Sequence, residues 1–265
     1  MADTLRLEDK ADRVVATLDR PETRNAIDQE LVDALHALCA RLEDEPRILI
    51  LTGAGGVFAS GADIAQLRDR RAEDARRGIN TRVFDRIAAL PMPVIAAIDG
   101  YALGGGAELA YAADIRIGTP GVRIGNPEPG LGIIAAAGAS YRLPRLVGEA
   151  HATELLLTGR ILSGDEAYAW GLLSSLHEPE DLHQAAEKLA DRIAALDPLA
   201  VRHTKTTLRA PAVAHPAIDL ALQAELFESP EKHRRMTAFL ERKSERKAER
   251  TSERKTEPKT ERKQK

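Results

Sequence analysis

Two short, wholly apolar stretches, residues 48–51 and 94–98, each run straight into glycine-rich sequence. Segments this short are read as strands rather than helices, and one without a polar face must be covered on both sides. Buried strands between helical layers meet that demand. Glycine after such a strand lets the backbone turn sharply or approach a ligand closely. The rest of the chain fits this frame. Residues 4–7 and 14–18 read as two strands joined by a polar turn. Pro21 keeps the next loop extended, and Asp28 is placed to cap a helix whose Leu31, Leu35, Leu38 and Leu42 share one face. Residues 63–67 and 83–90 read as helices on either side of an Arg/Asp-rich stretch, 68–77. Residues 107–113 form a short helix, 115–117 a strand and 123–132 a Gly/Pro-rich loop; from about Ala135 the pattern is mainly helical. Ser163 and Glu166 form a capping-box sequence, Asp197-Pro198 separates two helices, and a last helix spans 217–239. Strand–strand–helix units that recur without residue identity imply an α/β domain that is layered or spiral.

The 265 residues, 43% hydrophobic and 30% charged, suffice for one large domain with an appendage. The boundaries read as a core over 1–195, a helical region over 196–243 and a charged low-complexity tail over 244–265. From Glu241 onward, eleven Lys/Arg and six Glu give a local balance of +5, which leaves −8 for the body within a net −3. Such a body has no general affinity for nucleic acid or anionic lipid. In the tail, a Glu at every fourth position supports weak helical ion pairs. It has no apolar face and Pro258 interrupts it, so a helix extension fraying into disorder is expected. Interleaved Glu and the absence of nearby aromatics argue against a nucleic-acid stacking surface. Cys39, the one cysteine, lies on the apolar face of the first helix and reads as a buried structural thiol. No stretch approaches the roughly 18 apolar residues of a membrane span, and the early acidic residues are unlike a leader peptide, so a cytoplasmic protein is expected.

Three segments carry candidate chemistry, each after a strand. Gly53-Ala-Gly-Gly-Val-Phe-Ala-Ser-Gly-Ala-Asp-Ile64 and Gly100-Tyr-Ala-Leu-Gly-Gly-Gly-Ala-Glu-Leu109 are glycine-rich junctions that open helices. Their free N–H groups could converge on one carbonyl oxygen and stabilise negative charge there. The third, Gly125-Asn-Pro-Glu-Pro-Gly-Leu-Gly132, holds Glu128 between two prolines. Glu108 starts an otherwise apolar helix, where a carboxylate costs free energy unless it is paired, solvated or used. Taken singly, Glu108 reads equally as a helix-dipole partner and Glu128 as a loop charge. Other sites fail on spacing. Leu109 stands where a dinucleotide fingerprint needs its third glycine, Arg142 where a nucleophile elbow closes, and the seven histidines show no metal-ligand spacing.

Together these segments resemble the crotonase (enoyl-CoA hydratase/isomerase) superfamily, from about residue 14 to residue 239. Asp19-Arg-Pro-Glu-Thr-Arg-Asn-Ala26 is similar to its CoA-side loop, Phe58-Ala-Ser-Gly-Ala-Asp-Ile64 to its first oxyanion loop, 100–109 to its second and Asn126-Pro-Glu128 to the segment of its second glutamate. Leu157-Thr-Gly-Arg-Ile-Leu-Ser-Gly-Asp-Glu-Ala167 and Trp170-Gly-Leu-Leu173 look like the stretch that follows.

The resemblance implies a crotonase-like α/β spiral of strand–strand–helix units, and a helical C-terminal region that trimerises, often into hexamers of two trimers. It implies a CoA thioester as substrate, with its carbonyl oxygen between the N–H groups of Ala62 and Gly105, and Glu108 and Glu128 as the catalytic pair. Substrate contacts would come from Thr23, Arg24, Ala26, Ser60, Asp63, Ile64 and Pro127, with Phe227 and Phe239 packing over a neighbour's CoA. Hydratases of the family have both glutamates, whereas its isomerases commonly keep one. The expected reaction is therefore hydration of a 2-enoyl-CoA with no cofactor and no metal. Isomerisation, dehydration of a hydroxyacyl-CoA, decarboxylation, or an acyl-CoA- or RNA-binding role are the alternatives. The chain departs from the family at Ala135-Ala-Ala-Gly138-Ala139, where many hydratases have Pro-Gly-Ala-Gly-Gly, and at Glu22, where a basic residue often sits.

Overall fold

The computed structural model describes residues 4–256, with side chains through residue 245. The chain divides into two compact units, Met1–Lys205 and Thr206–Lys265.

The first unit is built on a five-stranded sheet of order β1-β2-β3-β4-β6. Its strands are β1 (Leu5–Asp9), β2 (Arg13–Leu18), β3 (Ile48–Gly53), β4 (Val94–Ile98) and β6 (Ile115–Gly118). Only the β1–β2 pair is antiparallel; β2–β3, β3–β4 and β4–β6 are parallel. Every residue of β2 and β4 is buried, as strands covered on both faces must be. Helix α1 (Gln29–Asp44) covers one face through Leu31, Leu35, Leu38, Cys39 and Leu42, and the Asp28 carboxylate caps it by accepting from the Leu31 N–H at 2.9 Å.

Along this unit the chain continues through α2 (Ile64–Asp69), α3 (Ala72–Arg77), α4 (Ile79–Ala89), β5 (Tyr101–Leu103), α5 (Gly105–Ala112), β7 (Arg123–Gly125), α6 (Ala139–Val147), α7 (Glu149–Thr158), β8 (Ile161–Ser163), α8 (Gly164–Ala169), α9 (Pro179–Ala194) and the start of α10 (Pro198–Arg209). A second sheet of order β5-β7-β8 is absent from the sequence expectation, which places loops at its first two strands and helix at its third. Three-residue strands among glycines are too short to display alternation, so periodicity cannot find them. The stretch 68–77 likewise contains α3, with Gly78 in the left-handed region (φ 61°) between it and α4. The Ser163–Glu166 capping box forms as expected.

In the second unit the expected helix over 217–239 is two helices, α11 (Ala217–Phe227) and α12 (Pro230–Thr256). Pro230 explains the break, because its ring disfavours helical backbone at the preceding residue and suits a helix start. α11 buries none of its residues, and Leu208, Val213, Leu220 and Phe239 are exposed. The tail is helical to Thr256, and the rest of the expectation about it lies outside the described residues. Among the described residues no helix is long and apolar enough to cross a membrane, and no cluster of His, Cys, Asp or Glu is placed to hold a metal ion.

Candidate active site

The three segments singled out in the sequence meet at one cavity of about 590 Å³ in the first unit. Backbone hydrogen bonds bring them together. The Phe58 and Ala59 N–H groups donate to the carbonyls of Asp99 and Tyr101, and the Leu103 N–H returns to Ala59, which laces the first glycine-rich loop to β5. The Gly104 N–H donates to the Gly125 carbonyl at 2.9 Å, continuing the β5–β7 pairing up to the cavity. On the other side, Ile27 N–H donates to Gly61 and Asp63 N–H to Ile27 (2.8 and 3.1 Å), a parallel bridge that turns the intervening Ala62 N–H away from Ile27.

Ala62 and Gly105 are adjacent in space: a β-carbon placed on Gly105 would lie 3.6 Å from the Ala62 nitrogen. Gly105 is the first residue of α5, so its N–H has no intrahelical acceptor. Both residues line the cavity.

Both glutamates line the same cavity and both are buried, Glu108 to 3% exposure and Glu128 to 8%. The reading of Glu128 as a solvated loop charge is thereby overturned. Its burial follows from the β5–β7 pairing, which closes 104 over 128: a β-carbon on Gly104 would come within 3.1 Å of Glu128 Oε1. Gly104 also has φ 52°, a second reason for glycine there.

The two carboxylates are held differently. Glu108 Oε1 accepts from the main-chain N–H of Ala137 (2.7 Å) and of Ala139 (3.1 Å). Glu128 Oε1 has one long contact from Asn126 Nδ2 (3.4 Å), and its buried Oε2 has no partner among the described residues. Asn126 is itself oriented by the Tyr111 hydroxyl, which donates to Asn126 Oδ1 at 3.1 Å. Burial pushes Glu108 up to about 7, against the two amide donors, and Glu128 adds to the rise. Burial also raises Glu128, opposed by its own backbone and by Asn126. Two carboxyls that repel across one cavity titrate as a pair. The arrangement can hold a carbonyl oxygen at the amide pair while one carboxyl gives a proton and the other takes one.

Of the remaining residues named from sequence, Ile64 and Pro127 line the cavity. Asp63 caps α2 by accepting from Gln66 N–H. The Thr23 and Ser60 hydroxyls are used within the loops, donating to the carbonyls of Arg20 and Thr23. Arg24 (φ 54°) and buried Ala26 lie in the loop whose Asn25 side chain ties it to Ala54 and Val57. Phe227 and Phe239 belong to the second unit, and both are more than half exposed. Sequence reading does not single out the Tyr111–Asn126 pair, nor the amides of the turn 137–139. The available signals were a tyrosine in an alanine-rich helix and a glycine just before α6.

A sequence profile of the enoyl-CoA hydratase/isomerase family matches residues 9–249. The chain is 35% identical over 246 residues to the short-chain-enoyl-CoA hydratase of Clostridium acetobutylicum, covering 89% of this chain and 94% of that one. It is 37% identical over 248 residues to the crotonyl-CoA hydratase of Syntrophomonas wolfei, covering 89% and 95%. Among solved structures, the enoyl-CoA hydratase of Bacillus anthracis superposes with a TM-score of 0.85 at 32% identity, over 90% of this chain and 96% of that one.

Proposed function

The chain belongs to the enoyl-CoA hydratase/isomerase family, and from that premise we infer that it is an enoyl-CoA hydratase, adding water across the 2,3 double bond of a 2-enoyl-CoA thioester. One observation carries the reading: two buried carboxyls share a cavity lined by both glycine-rich junctions. An isomerase needs one carboxyl to move a proton along the acyl chain, whereas hydration needs a base for water and an acid for carbon.

In the proposed reaction the thioester oxygen sits between the N–H groups of Ala62 and Gly105. These stabilise the enolate charge that develops as water attacks the β-carbon; in known cases, losing one such donor costs about a hundred- to a thousandfold in rate. Glu108 accepts the proton from the attacking water. The amides of Ala137 and Ala139 support this role because they favour its ionised form. Glu128, with an unpartnered Oε2, gives its proton to the α-carbon and is reset by the proton that Glu108 has gained. Both transfers occur on one face, so addition is syn. Acid, base and oxyanion donors complete the chemistry, so no cofactor beyond the coenzyme A of the substrate is called for.

Thr23, Arg24, Ala26, Ser60 and Asp63 shape the CoA side of the site, and Ile64 and Pro127 contact the acyl thioester. We place Phe227 and Phe239 over the CoA of a neighbouring subunit in a homotrimer, alone or paired as a hexamer. The exposed apolar side chains Leu208, Val213 and Leu220 of the second unit support that assembly. A reducing, cytoplasmic setting and a place in fatty-acid metabolism accord with a single unpaired cysteine and an acyl-CoA substrate. The test is hydration of crotonyl-CoA by the full chain with identification of the product. A 3-hydroxyacyl-CoA supports the assignment, whereas a shifted double bond or no turnover on a panel of 2-enoyl-CoA esters overturns it.

A further inference from the structure

The amides that hold Glu108 come from a turn with no side chain of its own beyond methyl groups, Ala135-Ala-Ala-Gly-Ala139, and with Gly138 at φ 126°. Such a turn has little intrinsic stiffness. Yet each of its three successive peptide planes is tied down, two by side chains of α4 and α6 and one by the main chain of α6. The Ala136 carbonyl accepts from the Thr81 hydroxyl at 3.1 Å, which fixes the plane carrying the Ala137 N–H. The Ala137 carbonyl accepts from Arg142 Nη1 at 3.0 Å. The Gly138 carbonyl accepts from the Arg142 main-chain N–H at 2.9 Å, which fixes the plane carrying the Ala139 N–H.

The Arg142 side chain therefore holds the middle plane, between the two donors, while its main-chain N–H holds the third as the first hydrogen bond of α6. Its guanidinium lies directly on Gly138, where a β-carbon would sit 1.7 Å from Nη1. The residue is 9% exposed, and the far side of its fork meets Asp85 Oδ1 at 2.5 Å. The Tyr141 hydroxyl donates to the same Asp85 oxygen at 2.7 Å, and the guanidinium stacks 4.8 Å from the Tyr141 ring centre.

We infer that Arg142, anchored by Asp85 and Tyr141, is a positioning residue that sets the orientation and proton affinity of Glu108 through the 137–139 turn. The inference rests on the hydratase reading for its kinetic consequence but on geometry alone for its electrostatic one. The ionisable groups that bear on Glu108 are Arg142 and Tyr141 from α6, Glu128 from the turn after β7, and Tyr111 from its own helix. Arg142 is the one cation among them, and it favours the carboxylate. Loss of its side chain raises the proton affinity of Glu108 by removing that charge and by freeing the Ala137 carbonyl, whose peptide plane lies between the two amide donors.

The experiment measures kcat and kcat/KM for crotonyl-CoA hydration against pH in the full chain carrying Arg142→Met, Arg142→Lys or Asp85→Asn. Arg142→Met moves the acid limb of kcat/KM to higher pH and lowers kcat at pH 7 by about 10- to 100-fold, with KM changed little, as expected for a misplaced catalytic group. Asp85→Asn moves both in the same direction by less, and Arg142→Lys falls between. In a Glu108→Gln background, Arg142→Met costs less than about a further threefold, because the two act as one unit. An unmoved acid limb in a folded variant overturns the inference, as does the same fold loss in both backgrounds. Should Arg142→Met fail to fold, Asp85→Asn and Arg142→Lys decide by the same criterion. A wild-type chain that hydrates no enoyl-CoA overturns the hydratase reading instead. The titration of Glu108, followed by NMR of labelled glutamate with and without Arg142, then still decides the role of Arg142.

Discussion

Glu108 and Glu128 face one cavity, yet the regions that present them are built on opposite plans. Glu108 stands on a helix and is gripped at one oxygen by two amides of a turn that α4 and α6 hold in place. Glu128 stands on a 3-10 turn between prolines, with one long contact from Asn126 and a buried oxygen that has no partner among the described residues. The amides that grip Glu108 favour its ionised form, but burial outweighs them and raises it to about 7, so near neutral pH it takes up and gives back a proton readily. Glu128, with fewer donors, is raised by burial as well. On the proposed roles, the number of N–H groups each carboxyl sees helps divide the work of base and acid between two identical side chains.

Four substitutions break or sharpen that contrast. Glu128→Gln removes the proton donated to carbon and has no substitute nearby; turnover falls about a thousandfold or more with KM within a few-fold, read by steady-state kinetics. Glu108→Gln is expected to cost about a hundredfold or more, and it carries a second signature. The folded-state value of Glu108 is raised from 4.5 to about 7, so the stability associated with its proton is complete below about pH 4.5 and is lost as pH rises through 7. Glu108→Gln therefore unfolds at higher denaturant concentration than wild type at pH 8, by up to about 3 kcal/mol, and shows little difference at pH 4. Equal stability at both pH values would mean that the carboxyl is not strained by burial.

Gly104→Ala acts first on Glu128: the new methyl meets Oε1 at 3.1 Å from a backbone at φ 52°. A loss of about 10- to 100-fold in kcat is expected, with the acid limb set by Glu108 unmoved. The smallest effect belongs to Tyr111→Phe, which deletes the hydroxyl that orients Asn126. It lowers kcat a few-fold and costs about 1 kcal/mol of stability, measured by urea unfolding.

The strand–glycine–helix junctions were legible because their chemistry is written in residue type. A close approach or a left-handed turn demands glycine, and no distant residue is needed to see it. The first helix was legible for a similar reason, since Asp28 and the Leu31–Leu35–Leu38–Leu42 spacing are local. What stayed hidden depends on tertiary closure. Glu128 is buried because β5 pairs with β7, and both strands are too short to announce themselves. The Glu108 cradle is hidden because main-chain N–H groups do its work, and alanines conceal them. Its supports, Thr81 and Asp85, lie more than fifty residues away in sequence. The second unit was misread as one helix despite Pro230, since the apolar pattern continues on both sides of the break.

The pairing of β5 with β7 has one more consequence. Gly105 lies two residues beyond the first strand and Glu128 three beyond the second, so on the proposed roles the oxygen donor and the carbon acid hang from neighbouring strands. The strands that carry them are held at the sheet spacing of about 4.8 Å, which is fixed by main-chain hydrogen bonds rather than by side chains. On those roles the pairing would act as a ruler for the thioester, the part that all acyl-CoA substrates share. The opposite wall, formed in part by Ile133, Ile134 and Ala136, belongs to no sheet. Mutation can remodel that wall for a new acyl group while the gauge that recognises the thioester stays the same length.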